Sequence, residues 1–340
     1  MKKELDLSEF IKQLPKVELH LHIEGTFEPE LMFKIAQKNK IKIKYKNVVD
    51  LKKAYNFSNL QEFLDVYYAG CKVLLNEEDF YDLTWEYLTK AKSQNIKHTE
   101  IMFDPQTHTQ RGIKFDTVIK GIHQAMKDVE EELGISSKLI MSILRHLPEE
   151  SAFETFKQSE PYKKWIDAIG LDSSEVGHPP SKFTNVFAHA KREGYLIVAH
   201  AGEEGPPEYV KEALNILKVD RIDHGNRSLE NDKITTELVN RKMALTVCPL
   251  SNLKLKVVNN LKNHPLRSML DKGIIATINS DDPAYFGGYL NENFIEIQKA
   301  LNLTKDEIIR LVKNSINASF LDDIGKNKLL KLLQNHLDNY

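Results

Sequence analysis

The chain has 340 residues, of which 47 are basic and 49 acidic, giving a net charge of −2. This balance, without a strongly basic cluster, excludes the electrostatic surface typical of a nucleic-acid-binding protein. The length fits two average domains or one large α/β barrel, and no apolar run approaches the ~20 residues that cross a bilayer.

Cysteine content and the N-terminal residues bear on the cellular compartment. Cys71 and Cys248 lie far apart and form no metal-binding or redox spacing. Such use of cysteine is typical of a reducing compartment, and residues 1–14 are charged and lack the apolar stretch of a secretion signal. We therefore expect a cytoplasmic protein that is neither secreted nor inserted in a membrane.

Eight short apolar or β-branched runs recur along the chain, each followed by a helical stretch. The predicted strands are 17–22, 98–103, 139–144, 166–171, 196–200, 221–224, 244–247 and 274–279. Strands that alternate with helices predict a parallel α/β sheet, and eight of them indicate a (β/α)₈ TIM barrel. A doubly wound open sheet is the alternative, but its glycine-rich dinucleotide signature is missing after the first strand.

The segment between the first and second strands, about residues 26–96, is too long for an ordinary loop of an α/β fold. Its apolar residues follow helical spacing at 31–37, 60–75 and 80–92, with Asn59 and Asn76 placed as N-caps. We expect a helical insertion over the carboxyl-terminal mouth of the barrel, serving either as a lid or as extra packing.

Two further helices are predicted after the eighth strand, at residues 304–314 and 326–337. The chain contains no internal repeats, low-complexity tracts or proline-rich linker. We therefore expect residues 1–340 to form one domain.

Metal-ligating side chains gather at the predicted strand ends. His20 and His22 occupy alternate positions at the end of the first strand, so their side chains share one face. The fifth strand ends at His200, and Asp281 follows the eighth. Because the strand ends of a barrel ring one mouth, these four side chains can converge. Three imidazoles and a carboxylate suit Zn²⁺ with a position left for water, which predicts a catalytic zinc site.

Candidate acid and base groups lie near the same rim. His224 ends the sixth strand, where it could orient or deprotonate a metal-activated water, with Asp223 anchoring its ring. Glu203, three residues beyond His200, suits a general acid, and a dry pocket would favour its protonated form. Cys248 follows the seventh strand, where we expect a small buried side chain rather than a nucleophile. Surface or packing roles are expected for His123, His189, His264 and His336.

Four motifs together resemble the metal-dependent adenosine and adenine deaminases, a branch of the amidohydrolase superfamily. They are His20-x-His22, His200-Ala201-Gly202-Glu203, Asp223-His224-Gly225 and Ser280-Asp281-Asp282-Pro283. The similarity runs from about residue 14 to about residue 319. Residues 103–109, 174–180, 202–207 and 282–288 look like the bacterial and fungal adenine deaminase group of this branch. We therefore expect an enzyme of this family.

The resemblance implies one zinc ion per chain, held by the four ligands named above. It also implies that Glu203 donates a proton, that His224 assists the water on the zinc, and that Asp282 hydrogen-bonds the purine. The implied reaction adds water at C6 of adenine while Glu203 protonates N1, and it expels ammonia to leave hypoxanthine. Such an enzyme acts in purine salvage and nitrogen catabolism and binds a small purine base. A homo-oligomer is possible for a protein of this family.

Three residues bear on the choice of purine. In the adenosine-acting relatives an Asp typically stands two positions after the second histidine and reaches the ribose, whereas this chain has Glu24, whose longer side chain could fill the sugar space. Ser174 and Glu175 follow the fourth strand and are predicted to contact the substrate, with Glu175 about where those relatives use a glycine. Free adenine is therefore the expected substrate, and adenosine or an N6-substituted adenine are the alternatives.

Two other kinds of protein compete with this interpretation. A catalytically silent purine-binding protein would have no need of a proton donor such as Glu203 aimed at a metal-activated water. A two-metal amidohydrolase would need a modified lysine at the end of the fourth strand, and residues 170–174 contain none.

Overall fold

The computed structural model describes residues 7–339, so residues 1–6 of the charged N-terminal stretch lie outside the described part. Eight parallel strands, β1 to β8, pair with their neighbours in chain order. In that order they are Lys16–His22, Ile96–Phe103, Ser136–Leu144, Ala168–Asp172, Leu196–Ala201, Arg221–His224, Ala244–Val247 and Ile275–Ile278. All eight predicted strands are confirmed.

The sheet closes on itself between β8 and β1. The backbone N–H of His22 donates to the carbonyl of Asp281 at 3.0 Å, and the N–H of Asp281 donates to the carbonyl of His20 at 3.2 Å. Nearer the amino-terminal end of β1, the Asn279 side chain accepts the backbone N–H of Leu19 at 2.8 Å. This closure confirms the predicted (β/α)₈ barrel, and it brings Asp281 beside the two histidines of β1.

Helices surround the barrel and are numbered α1 to α17 within residues 7–339. They are Leu7–Gln13, Pro29–Lys38, Val48–Lys53, Leu60–Cys71, Glu77–Ser93, Pro105–Thr109, Phe115–Leu133, Glu149–Ser159, Thr184–Arg192, Pro207–Glu212, Asp232–Arg241, Pro249–Lys254, Leu266–Asp271, Pro283–Phe286, Leu290–Leu301, Lys305–Ala318 and Asp323–Asn339. None of them is long and apolar enough to cross a membrane.

The segment between β1 and β2 is helical, as expected, and contains α2 to α5. The Asn59 side chain accepts the backbone N–H of Glu62 at 2.9 Å, so it caps α4. Asn76 is the N-cap of α5, where the Asp79 carboxylate accepts its backbone N–H at 3.0 Å. Because this cap and its acidic first turn fix the start of α5 at Glu77, α4 ends at Cys71 rather than at the predicted residue 75.

The barrel interior below the strand ends contains a buried ion pair as well as apolar side chains. Arg221 of β6 donates to the Glu100 carboxylate of β2 at 2.5 Å and to the carbonyl of Leu19 at 2.9 Å. Strands β2 and β6 are not neighbours in the sheet, so this contact crosses the barrel. The opposite, carboxyl-terminal end of the barrel is where the predicted site residues lie.

Candidate metal centre and active site

Five predicted residues converge at the carboxyl ends of four strands. His20 and His22 end β1, His200 lies one residue before the end of β5, His224 ends β6, and Asp281 follows β8. His224 and Asp281 both have a φ of +64°, a left-handed conformation that is uncommon for residues other than glycine. Backbone strain of this kind clusters at functional sites, and here it turns two side chains toward one point.

The ligand atoms of this cluster lie close together although the residues are far apart in sequence. His20 Nε2 lies 3.2 Å from Asp281 Oδ1, and His22 Nε2 lies 3.6 Å from the same oxygen. His22 Nε2 and His200 Nε2 are 3.2 Å apart. One ligand atom each from His20, His200, His224 and Asp281 falls within 4.8 Å of the others. The cluster therefore has the dimensions of a site for a single metal ion.

Residues behind the cluster orient its imidazoles. His20 Nδ1 lies 2.9 Å from the Thr246 hydroxyl, which in turn donates to the Asp223 carboxylate at 2.8 Å. Because the Thr246 hydroxyl donates to Asp223, it accepts from His20, so Nδ1 is the protonated nitrogen of His20. Its Nε2 then has a lone pair directed at the centre of the cluster. Asp223 also lies 3.6 Å from His200 Nδ1. The prediction that Asp223 anchors His224 is therefore wrong, because its side chain supports His20 and His200 instead.

The chemical state of three of the four imidazoles fits a bound cation, whereas the Asp281 and Asp223 carboxylates raise the pKa of His20 against the effect of burial. Burial lowers the pKa of His22 to about 4 and that of His224 to about 3, and it holds the pKa of His200 well below the usual value. Neutral imidazoles keep the lone pairs that a metal ion requires. His20 Nε2 is buried without a hydrogen-bond partner among the described residues. Nitrogen and carboxylate donors crowded together in this way suit a divalent ion such as zinc.

Glu203 and Asp282 lie beside the cluster and are both buried. Glu203 Oε2 lies 3.6 Å from His224 Nε2. Burial, together with the nearby charge of Asp281, raises the pKa of Glu203 and of Asp282 well above the usual range of carboxylic acids. Each can therefore hold a proton near neutral pH, and Asp282 Oδ1 has no hydrogen-bond partner among the described residues.

A small cavity opens directly onto the cluster. Its lining is His22, Leu60, Phe63, Leu64, Tyr67, Tyr68, Asp104, Asp172, Ser173, His200, Glu203, His224, Leu255, Asp281, Asp282 and Phe286. Helix α4 contributes the five residues from Leu60 to Tyr68, so the insertion forms one wall of the cavity.

Three predicted substrate contacts lie outside this lining. The Glu24 carboxylate accepts hydrogen bonds from His108 at 2.9 Å and from the backbone N–H of Asp104 at 3.2 Å. Residue Glu24 begins a short 3-10 helix after β1, which directs its side chain toward the end of β2. The Ser174 hydroxyl donates to Gln61 at 3.0 Å. Both side chains have protein partners, and their predicted contacts with the substrate stay predictions.

Glu175 is the third such residue, and its carboxylate has an unusual environment. It accepts the backbone N–H groups of Gly202, Glu203, Glu204 and Gly205 at 2.6, 3.0, 2.8 and 2.7 Å. A Cβ atom at Gly205 would lie 2.7 Å from this carboxylate, so only glycine allows so close an approach. Glu175 therefore contacts the loop that carries Glu203 rather than the cavity.

Sequence reasoning missed several residues of the site. Asp104 and Asp172 line the cavity, and Tyr67 donates to Asp104 at 3.1 Å. A signal for the two aspartates was present, because Asp104 follows β2 directly and Asp172 ends β4. Thr246, in contrast, is an ordinary residue of a buried strand, and nothing in the sequence marks its contact with His20.

The remaining predicted residues are not part of the cluster. Cys248 is buried with a free thiol, as expected. His123 stacks on Trp165 with ring centroids 4.0 Å apart, and His189 packs against Phe156. His264 is buried, and His336 lies on α17.

A family model described as adenosine deaminase matches residues 15–336. The chain belongs to the adenosine deaminase family. Within this family, the adenine deaminase of Acinetobacter baylyi is 61% identical over 322 residues, which cover 95% of this chain and 97% of that relative. The predicted family membership is therefore confirmed.

Solved structures of family members agree with the fold. An adenine deaminase from Arthrobacter aurescens has a TM-score of 0.94 at 46% identity, covering 96% of this chain and 99% of that one. An amidohydrolase from Burkholderia ambifaria with bound zinc has a TM-score of 0.89 at 25% identity, covering 99% of this chain and 95% of that one. Both likenesses extend over the barrel and the helical insertion.

Proposed function

We propose that this protein is an adenine deaminase, which hydrolyses the C6 amino group of adenine and releases hypoxanthine and ammonia. The observation that carries the proposal is the buried cluster of His20, His22, His200 and Asp281, in which the contacts from His20 and His22 to Asp281 and from His22 to His200 span 3.2 to 3.6 Å, with Glu203 beside it at a small cavity. Adenine deaminases 61% and 46% identical to this chain support the choice of substrate. The products would enter purine salvage and nitrogen catabolism.

The cluster would hold one zinc ion per chain. His20, His22, His200 and Asp281 supply three imidazole nitrogens and a carboxylate, a donor set that suits zinc in a catalytic site. The zinc in the related amidohydrolase supports this choice of metal. Once bound, zinc would lower the pKa of a water molecule toward neutrality and so make it a nucleophile.

The residues around the cluster then have distinct tasks. Glu203 donates its proton to N1 of the ring, which makes C6 a better electrophile. His224, which faces Glu203 at 3.6 Å, orients the attacking water and accepts its proton. Asp282 in its protonated form donates a hydrogen bond to a ring nitrogen of the purine. The apolar side chains of α4 exclude bulk water, which strengthens each of these polar contacts.

The assay that tests the proposal follows the ultraviolet absorbance of adenine, adenosine and N6-methyladenine with purified, zinc-loaded protein. Rapid conversion of adenine, with ammonia released in equal amount, is the expected result. Turnover of adenosine or N6-methyladenine in place of adenine would assign the chain to another substrate. Tight adenine binding without turnover of any of the three would instead identify a purine-binding protein.

A further inference from the structure

The cavity contains polar atoms that the reaction described above does not use. Asp104 and Asp172, here called the acid pair, line the cavity at the ends of β2 and β4, whereas the metal cluster draws on β1, β5, β6 and β8. Both aspartates are buried, with side chains 3% and 2% exposed. Asp104 Oδ1 and both carboxylate oxygens of Asp172 have no hydrogen-bond partner among the described residues.

The surroundings fix which oxygens face the cavity. Tyr67 donates its hydroxyl to Asp104 Oδ2 at 3.1 Å. Asp172 Oδ2 lies 3.5 Å from His22 Nδ1, so it accepts the second N–H of that imidazole once Nε2 ligates a metal. Burial and the neighbouring charge of Asp172 raise the pKa of Asp104, so the two carboxyl groups can share one proton and leave one carboxylate acceptor between them.

Two other polar side chains near the acid pair have protein partners of their own. The Ser173 hydroxyl is engaged with Tyr68 at 2.9 Å and with His146 at 2.8 Å. Glu24 adds a further carboxylate behind Asp104. An unpaired buried acceptor is costly, so the acid pair's remaining acceptor oxygen indicates that the ligand itself brings an N–H or O–H group here.

Free adenine has two kinds of N–H group. Its exocyclic amino group is the leaving group and must face the metal cluster, Glu203 and His224. Its other N–H belongs to the imidazole ring, on the edge of the purine farthest from C6. In a nucleoside this nitrogen is bonded to the sugar and carries no hydrogen. A carboxylate that faces this edge of the purine can therefore distinguish the base from its nucleosides.

We propose that the acid pair accepts the imidazole N–H of free adenine and thereby selects the base over its nucleosides. This inference rests on the proposed adenine deaminase function and adds to it the residues that set its specificity. A site built to hydrogen-bond an N–H rejects the analogue that lacks it by about 10⁴–10⁵-fold in favourable cases, because the buried acceptor stays unpaired. Glu24 contributes to this specificity indirectly, because its carboxylate accepts the backbone N–H of Asp104 at 3.2 Å and so positions that residue.

The test compares adenine with 9-methyladenine, which lacks the imidazole N–H and carries no sugar hydroxyls. We expect wild-type kcat/KM to be higher for adenine by about 10²-fold or more. The Asp104→Asn substitution keeps the volume, and the Tyr67 hydroxyl orients the amide oxygen toward itself, so the amide N–H₂ faces the substrate. The adenine value should then fall about 10²-fold while the 9-methyladenine value changes little, so the ratio collapses.

Asp65→Asn is the matched control, because Asp65 is exposed on α4 and bonds to Gln61. It should leave both kcat/KM values and their ratio at wild-type levels. Zinc content is measured for every variant, and Asp104→Asn should retain one ion per chain.

Three results would overturn the inference while leaving adenine deamination intact. Wild-type protein could use 9-methyladenine or adenosine as well as adenine. Asp104→Asn could lower the values for adenine and 9-methyladenine equally, which would mean a structural or purely steric role. A second metal ion lost with Asp104→Asn would mean that the acid pair binds a cation. Failure of wild-type protein to convert adenine would instead refute the proposed function itself.

Discussion

At the scale of single residues, Glu203 is the group whose protonation matters most for the proposed reaction. Glu203→Gln keeps the shape of the side chain but removes the acidic proton. We expect kcat to fall by about 10²–10⁴-fold, the usual contribution of a general acid. Zinc content, measured by atomic emission, should stay at the wild-type level because Glu203 is not among the proposed ligands.

The neighbouring Glu204 provides the control, since its carboxylate accepts the N–H of Leu60 at 3.3 Å and does not line the cavity. Glu204→Gln retains an acceptor oxygen for that bond and should leave kcat close to the wild-type value. Loss of zinc in Glu203→Gln would contradict the assigned role.

Glu175 positions Glu203 through the backbone, because one carboxylate gathers four successive N–H groups of residues 202–205. Glu175→Gln offers one acceptor oxygen and an N–H₂ group that repels these amides. We expect kcat for adenine to fall about tenfold or more with KM nearly unchanged, since misplacing a catalytic group mainly affects the transition state.

Glu175→Asp should restore part of the lost kcat, because it retains the carboxylate but shortens the side chain. A rise of KM with unchanged kcat would instead support the earlier prediction that Glu175 contacts the substrate. Circular dichroism checks that each variant remains folded.

The residues of the metal cluster were accessible from the sequence, whereas the tasks of their neighbours were not. A histidine pair on one strand face and acidic or histidine residues at other strand ends predict convergence in any closed barrel. The directions of Glu24 and Glu175 depend on a 3-10 turn and on a loop of backbone amides. Neither leaves a periodic pattern, so the sequence does not distinguish these side chains from substrate contacts.

At the scale of secondary-structure elements, His264 joins α12 to α13. Its Nδ1 accepts the N–H of Leu266 at 3.1 Å, and its Nε2 lies 3.1 Å from the side-chain oxygen Oδ1 of Asn252. Burial lowers the pKa of His264 to about 3. In the unfolded chain the pKa is about 6.5, so between pH 6.5 and 3 the unfolded state binds a proton that the folded state excludes.

The contribution of His264 to stability is therefore complete above pH 6.5 and is lost as the pH falls toward 3. Each unit in this window should remove up to about 1.4 kcal/mol from the free energy of unfolding. Urea unfolding of wild type and His264→Gln at pH 7 and pH 5 measures the difference. An identical pH dependence in the two proteins would contradict the prediction.

Element boundaries were predictable where a cap marks them and less so elsewhere. Asn59 and Asn76 indicate the starts of α4 and α5 because their side chains or first turns satisfy free N–H groups. Strand β4 begins at Ala168 rather than at residue 166, because residues 166 and 167 join it to a 3-10 helix at Glu160–Trp165. Apolar periodicity alone does not distinguish these short elements.

At the scale of the whole molecule, a metal ion bound between β1, β5 and β8 would link distant parts of the chain. Removal of zinc with a chelator should abolish turnover and lower Tm. A ligand at a hundredfold excess over its Kd stabilises the folded state by about 2.7 kcal/mol. Differential scanning calorimetry with and without added zinc measures the shift, and an unchanged Tm would contradict a metal site in this cluster.

The His22→Ala variant distinguishes the effect of losing the metal ion from any other effect of the chelator on Tm. It removes one of the four proposed ligands, so the metal content and the zinc-dependent part of the Tm shift should both decrease. Asp65→Asn, on the exposed face of α4, should retain both.

The sequence by itself determined the barrel class, the family and the candidate metal ligands, because strand periodicity and strand-end residues are local features. Only the tertiary structure decided what surrounds them. The closure of β8 on β1 placed Asp281 beside His20, helix α4 supplied a cavity wall, and Asp104 and Asp172 met across β2 and β4. Such contacts join residues far apart in the chain, and their geometry depends on strand register and loop conformation, which no short motif encodes.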